Sequence, residues 1–163
     1  MAEPPRARKH KKLNLPCLLE KGMIKQLETF MSQAKTTRPA MGPSGLIFVV
    51  DDNALLGELA QTVLKGEGYA VQSFTDPKAV LKAIKEADPK PVALVTDYEM
   101  GEMNGLELIV SSHKIHPSLK TVLLSGTIDG SFIAGHPAKV NKFLVKPYLP
   151  AQLTSTVGEL LRP

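Results

Sequence analysis

The chain has 163 residues, 43% of them hydrophobic and 22% charged, a balance that suits one folded domain with a modest extension rather than a disordered polymer. The longest unbroken apolar run, Leu46–Val50, stops at Asp51, far short of the roughly 20 residues a membrane-spanning helix needs. The single cysteine, Cys17, excludes an internal disulfide and any zinc site built on clustered cysteines, which fits a reducing, cytoplasmic setting.

The formal net charge of +4 is unevenly distributed. Residues 1–45 hold nine Lys/Arg against three acids, a surplus of +6, whereas residues 46–163 hold eleven against thirteen, a deficit of −2. A basic arm is therefore joined to a mildly acidic domain.

Residues 1–16 read as a basic flexible tail. Pro4 and Pro5 precede Arg6, Arg8, Lys9, Lys11 and Lys12, and no sustained apolar core follows to make a secretory signal. Such a run is most often solvated; attraction to nucleic acid or to an acidic surface is the alternative. No interleaved aromatics or recognition helix accompany it, so nucleic-acid binding is not expected. Residues 17–35 have amphipathic helical spacing, with Met23, Ile24, Leu27, Phe30, Met31 and Ala34 recurring at three and four positions. Pro39, Gly42, Pro43 and Gly45 mark 36–45 as a linker. The helix has three open roles: packing on the domain, pairing with its copy, or ordering on a partner.

From Leu46 short apolar runs alternate with helical stretches. Leu46–Val50 predicts a buried strand, followed by a helix through Leu55, Leu59, Val63 and Leu64 that ends at Gly66 and Gly68. Tyr69–Phe74 predicts the second strand. Asp76–Pro77 opens a helix as an N-cap followed by proline, with Ala79, Val80, Ala83 and Ile84 on its apolar face. Pro91–Thr96 predicts the third strand, running into Asp97. A helix over 104–115 then uses Leu106, Leu108, Ile109 and Ile115, and Thr121–Leu124 predicts the fourth strand. Gly130, Gly135 and Pro137 leave at best a weak helix in 127–140. Asn141–Val145 is the fifth strand, and 149–161 the closing helix, with Leu153, Val157 and Leu160 inward. Five βα units imply a parallel sheet covered on both faces, a doubly wound α/β domain over 46–163 whose functional site lies beyond the strands' carboxyl ends.

Those ends carry Asp51 and Asp52 after the first strand, Asp97 after the third, Ser125 after the fourth and Lys146 after the fifth. Singly, each has an ordinary explanation as a helix cap or a solvated loop residue. Together they converge on one edge, where three carboxylates repel unless a hard cation and a basic side chain neutralise them. Mg²⁺ among the carboxylates, with Lys146 opposite, is the economical solution.

The order and spacing of FVVDDN, VTDYEMGEMNGLEL, LLSGT and FLVKP resemble the response-regulator receiver domain, as found in single-domain chemotaxis regulators. The resemblance covers almost all of 46–163. It implies a flavodoxin-like five-stranded sheet of order 2-1-3-4-5, here with an N-terminal helical extension. It also implies that Asp97 accepts a phosphoryl group from a histidine kinase or a histidine phosphotransfer protein. Asp52 would hold Mg²⁺ directly and Asp51 through water, with the Glu99 main-chain carbonyl completing the protein ligands. Lys146 would pair with Asp97 and later with a phosphoryl oxygen, and Ser125 would donate its hydroxyl to another. Phe143 matches an aromatic that changes rotamer on activation, and Pro147 a proline that follows the lysine through a cis bond. The readout surface would be the fourth helix, fifth strand and fifth helix, acting on an unknown downstream protein.

Some positions depart from the family's pattern. Gly101 stands where proline is usual and should loosen that loop, Asn104 stands where aspartate is common, and Glu99 and Thr127 occupy positions that tune acyl-phosphate hydrolysis. His113 and His116 have helix-compatible spacing, but His116 precedes Pro117 at the helix end, so no metal is expected there. An aspartyl-phosphate hydrolase of the haloacid-dehalogenase class would carry its Asp-x-Asp motif at the first strand, whereas Asp97 sits on the third and is followed by Tyr98 and Glu99. The expected protein is thus a stand-alone regulator, not a classical enzyme, ending with its fifth helix at Pro163. Slow autodephosphorylation is expected of it. The competing reading is a constitutive interaction module that dimerises through 17–34 or the 127–160 face without phosphorylation.

Overall fold

The computed structural model describes residues 45–162. The expected tail over 1–16, the helix over 17–35 and the linker before Gly45 lie outside the described residues. Strands and helices alternate as β1 (Leu46–Val50), α1 (Ala54–Gly66), β2 (Ala70–Phe74), α2 (Pro77–Glu86), β3 (Ala93–Asp97), α3 (Gly105–Ile115), β4 (Lys120–Ser125), α4 (Gly130–Ala134), β5 (Lys142–Val145) and α5 (Pro150–Leu161). All pairings are parallel and the sheet order is β2-β1-β3-β4-β5, as expected. The connections reverse direction between β1 and β3, which opens a crevice at the carboxyl ends of those two strands.

Strand composition follows position in the sheet. The inner strands β1, β3 and β4 are buried over almost their whole length, whereas edge strand β2 fully buries only Val71. Phe48, Val50, Leu94 and Leu123 share one core with Val80 and Ile84 of α2 and Leu106 and Ile109 of α3. Successive strand side chains point to opposite faces, so Ile47, Val49, Val95 and Val122 serve the other layer, where α1 lies beside α5. Burying each such side chain contributes about 1.5–3 kcal/mol.

The helix ends are chemically specified. Asn53 Oδ1 accepts from Leu55 N (3.1 Å) and Asp76 Oδ1 from Lys78 N (2.8 Å), with Pro77 starting α2. Asn104 and Glu107 cap each other's backbone N–H groups at 3.0 and 3.1 Å. Lys90 Nζ donates to the last carbonyls of α2, Ile84 O (3.1 Å) and Lys85 O (2.7 Å), and Lys120 Nζ to Leu160 O on α5 (2.7 Å).

Several expected inward residues are exposed. Leu55 is 67% exposed, because it precedes Leu64 by nine residues and so lies about 180° round the helix from it. The seam of α1 is Gly57, Ala60, Val63 and Leu64. On α2, Ala79 is exposed while Val80 and Ile84 are buried. Ile115, the last residue of α3, is also exposed, whereas Leu119 in the loop beyond is buried. His113 and His116 each bond a carbonyl, Leu119 O (2.8 Å) and Pro91 O (3.2 Å), and so tie the end of α3 to the loops beneath the sheet.

Ser112 on α3 is fully buried, and its Oγ has no hydrogen-bond partner among the described residues. An unpaired buried hydroxyl costs about 1–3 kcal/mol, so Ser112→Ala is expected to leave thermal stability unchanged or raise it. Loss of stability on denaturant titration would reveal a partner for that hydroxyl.

Candidate functional site

Two strand termini bring the acidic groups together. Asp51 leaves β1 with its N–H on Phe74 O of β2 (3.2 Å), and its Oδ1 accepts from Asn53 N (2.9 Å). Asp97 closes β3, and its Oδ1 accepts from Tyr98 N (2.7 Å). Lys146 follows β5, and its N–H bonds Ser125 O on β4 (2.8 Å), which continues the sheet pairing to the site. From there Lys146 Nζ reaches both carboxylates, Asp97 Oδ2 at 3.0 Å and Asp51 Oδ2 at 3.2 Å. Asp51 and Asp97 are buried, while Asp52 is exposed at the rim. Carboxylate oxygens of all three aspartates lie within 4.8 Å of one another.

The charge balance defines the chemistry. One ammonium against three carboxylates leaves two negative charges and a set of hard oxygen donors, which fits a divalent cation of the Mg²⁺ type. Both Asp51 oxygens are already engaged by protein donors, whereas the exposed Asp52 is open to ligation. Burial pushes the Asp51 carboxyl above its ordinary value of 3.8, and Lys146 pulls it part of the way back. The phenol of Tyr148, two residues beyond Lys146, is pushed up to about 12 by burial and then by the charges of Asp51 and Asp97. It therefore keeps its proton throughout the physiological range.

The Asp51 shift has a consequence for stability. A carboxyl with a raised folded pKa holds its proton longer in the native state. Its contribution to stability therefore falls as pH climbs from 3.8 through the folded value. Above that window the ionised group is a net cost in the metal-free domain, because burial strips water from the carboxylate and Lys146 offsets only part of that loss. Asp51→Asn is expected to raise the metal-free Tm at pH 7. The gap should close below the ordinary carboxyl range, where residue 51 is uncharged in both proteins. Thermal denaturation in chelator across that pH range checks it.

The remaining predicted residues surround this centre. Ser125, buried at the end of β4, accepts at Oγ from Thr127 N (3.1 Å) and Ile128 N (3.3 Å). Phe143 on β5 is partly buried against the core. Glu99 is exposed in the loop after β3. The bond from Lys146 to Pro147 is cis, as is that from Asp88 to Pro89. Gly101 does more than loosen its loop. It takes φ +42° in a turn closed by Met103 N on Met100 O (3.2 Å), a backbone state that proline cannot enter. Three residues escaped the sequence reading: Tyr148, Thr96, whose buried Oγ1 donates to Asp97 O (2.9 Å), and Tyr98. Only their proximity in sequence to Lys146 and Asp97 signalled them.

Comparison with known proteins assigns the domain to a family. The response regulator receiver domain family matches residues 47–158, and the chain belongs to that family. The sensor kinase CckA of Brucella abortus is 27% identical over 152 residues, covering 92% of this chain and 16% of the kinase. The DNA-binding response regulator MtrA of Mycolicibacterium paratuberculosis is 30% identical over 118 residues, covering 71% of this chain and 51% of the regulator. The chain thus spans a sixth to a half of these relatives. Among solved structures, chemotaxis protein CheY4 of Vibrio cholerae superposes with a TM-score of 0.67 at 20% identity, covering 73% of this chain and all of that one, a likeness of fold. Receiver domains of two-component regulators are phosphoacceptor signalling domains, generally not classical enzymes, and they bind Mg²⁺ at an acidic pocket.

Proposed function

We propose that the protein is a cytoplasmic response regulator that accepts a phosphoryl group on Asp97 from a histidine kinase or histidine phosphotransfer protein and signals through a protein contact. One observation carries this reading: Lys146 Nζ sits between Asp97 and Asp51, with a third carboxylate at the rim.

Asp51, Asp52, Asp97 and the Glu99 main-chain carbonyl are the residues that would hold Mg²⁺. The ion's contribution is to offset negative charge on the acidic cluster and the incoming phosphoryl oxygens. The chain's own groups do the rest. The Asp97 carboxylate forms the new O–P bond as the donor's N–P bond breaks and the imidazole leaves. The Tyr98 N–H and the Lys146 ammonium fix the orientation of that carboxylate. Lys146, already paired with Asp97, is placed to follow the charge onto a phosphoryl oxygen. Drawing Ser125 Oγ inward would take it away from the Thr127 and Ile128 N–H groups that donate to it, which would loosen the loop leading to α4. The contact face would be α4, β5 and α5, where Phe132, Val145 and Leu149 are exposed.

The test is intact-mass analysis with acetyl phosphate and Mg²⁺, followed by peptide mapping under conditions that keep acyl phosphates. The expected result is one phosphoryl increment on the peptide containing Asp97, lost when a chelator replaces Mg²⁺. An increment elsewhere, or none even with beryllofluoride as a mimic, would overturn the reading.

A further inference from the structure

We infer that Phe132 on α4 is a positioning residue for Asp97, acting through Tyr98, so that the seating of α4 sets how readily the phosphoacceptor reacts. This rests on the phosphoacceptor reading above.

The peptide joining Asp97 to Tyr98 is gripped on every polar side. Thr96 Oγ1 donates to its carbonyl, Asp97 O, at 2.9 Å. Its N–H, Tyr98 N, is shared between Leu124 O (2.8 Å) and Asp97 Oδ1 (2.7 Å). The next carbonyl, Tyr98 O, accepts from Gly105 N (2.9 Å). The backbone of Tyr98 is therefore part of the phosphoacceptor's mounting, and its side chain is where that mounting meets α4. That ring packs at the edge of the core and meets Phe132 edge-on, with centroids 6.4 Å apart at 76°.

The other end of this contact is lightly held. The five-residue α4 buries none of its residues, and Phe132 itself is 52% exposed. Asp129 caps the helix through Ser131 N (2.9 Å) and Phe132 N (3.1 Å), and only Ile128 and Ile133 join the core nearby. An exposed ring on such a helix adds little to the core, yet it touches the residue whose N–H aims the Asp97 carboxylate. Small misplacements of a reacting group cost far more rate than stability.

The experiment follows acetyl-phosphate labelling of the full chain at saturating Mg²⁺ by mass, alongside hydrogen exchange at the Tyr98 amide. Phe132→Ala is expected to slow labelling about two- to tenfold, the range an aromatic pair supports, to speed Tyr98 exchange, and to leave Mg²⁺ affinity unchanged. Phe132→Tyr, which keeps the ring, should behave as wild type. In a Tyr98→Ala background, Phe132→Ala should add nothing further. Unchanged labelling in Phe132→Ala, or additive losses in the double variant, would overturn the inference. If wild type takes no phosphoryl group, the phosphoacceptor reading fails by itself. The Tyr98–Phe132 link then stands or falls on Tyr98 exchange, and unaltered exchange in Phe132→Ala overturns it.

Discussion

Asp97→Asn is expected to abolish phosphoryl uptake from acetyl phosphate, whereas Lys146→Ala should slow it roughly 10²–10³-fold without abolishing it. The two residues touch at 3.0 Å, but they do different work. The amide of the first variant can still accept the Tyr98 N–H, so the loop geometry survives while the anionic nucleophile is gone. The second variant keeps the nucleophile and loses the ammonium. It should also keep the fold at that point, because the Lys146 N–H bond to Ser125 O belongs to the backbone. Without the ammonium, three carboxylates face one another uncompensated, so divalent-cation affinity should rise several-fold as the labelling rate falls. That opposite movement, read from a metal titration beside a mass time course, separates a catalytic role from a structural one. A parallel loss of metal affinity and rate would mean that Lys146 chiefly holds the site together.

The strand ends were legible because a parallel sheet buried on both faces leaves a distinctive trace. Leu46–Val50 and Ala93–Thr96 are apolar or small up to the residue where the chain emerges, and there Asp51 and Asp97 appear. Ser125 and Lys146 were legible for the same reason, and the sheet order followed from the family resemblance rather than from any local pattern. Helix faces were less readable. Leu55 fits a four-residue spacing with Leu59 and Val63, but the seam against the sheet passes through Gly57 and Ala60, which leucine-weighted periodicity ignores. Gly101 looked like a missing proline, yet its backbone uses a region closed to proline, and a residue list carries no dihedral angles. Tyr148 and Thr96 went unnoticed because their roles depend on where the loops after β5 and β3 fold back, which is settled by tertiary packing.

Gly105→Ala should reverse the usual sign of a glycine-to-alanine change within a helix. In an open helix the methyl group normally adds stability by narrowing the unfolded ensemble. Here a Cβ on Gly105 would lie 2.3 Å from Asp97 O and 2.7 Å from Leu123 Cδ1, and a strand carbonyl cannot swing aside as a flexible side chain does. Either α3 backs away from the sheet or the end of β3 moves. Overpacking of this kind costs about 1–3 kcal/mol, which corresponds to a Tm lower by about 4–12 °C. The rate of labelling at Asp97 should fall as well, because the displaced carbonyl belongs to the nucleophile's own residue, and Gly105 N also holds Tyr98 O at 2.9 Å. The neighbouring Asn104→Ala is the matched comparison. It removes the N-cap bond to Glu107 N (3.0 Å) at a cost of about 1 kcal/mol and adds no atom near Asp97. If Asp97's placement depends on the close approach at Gly105, the first variant loses both stability and rate, and the second loses stability alone. Equal slowing by both would shift the role from that one contact to the docking of the α3 N-terminus as a whole.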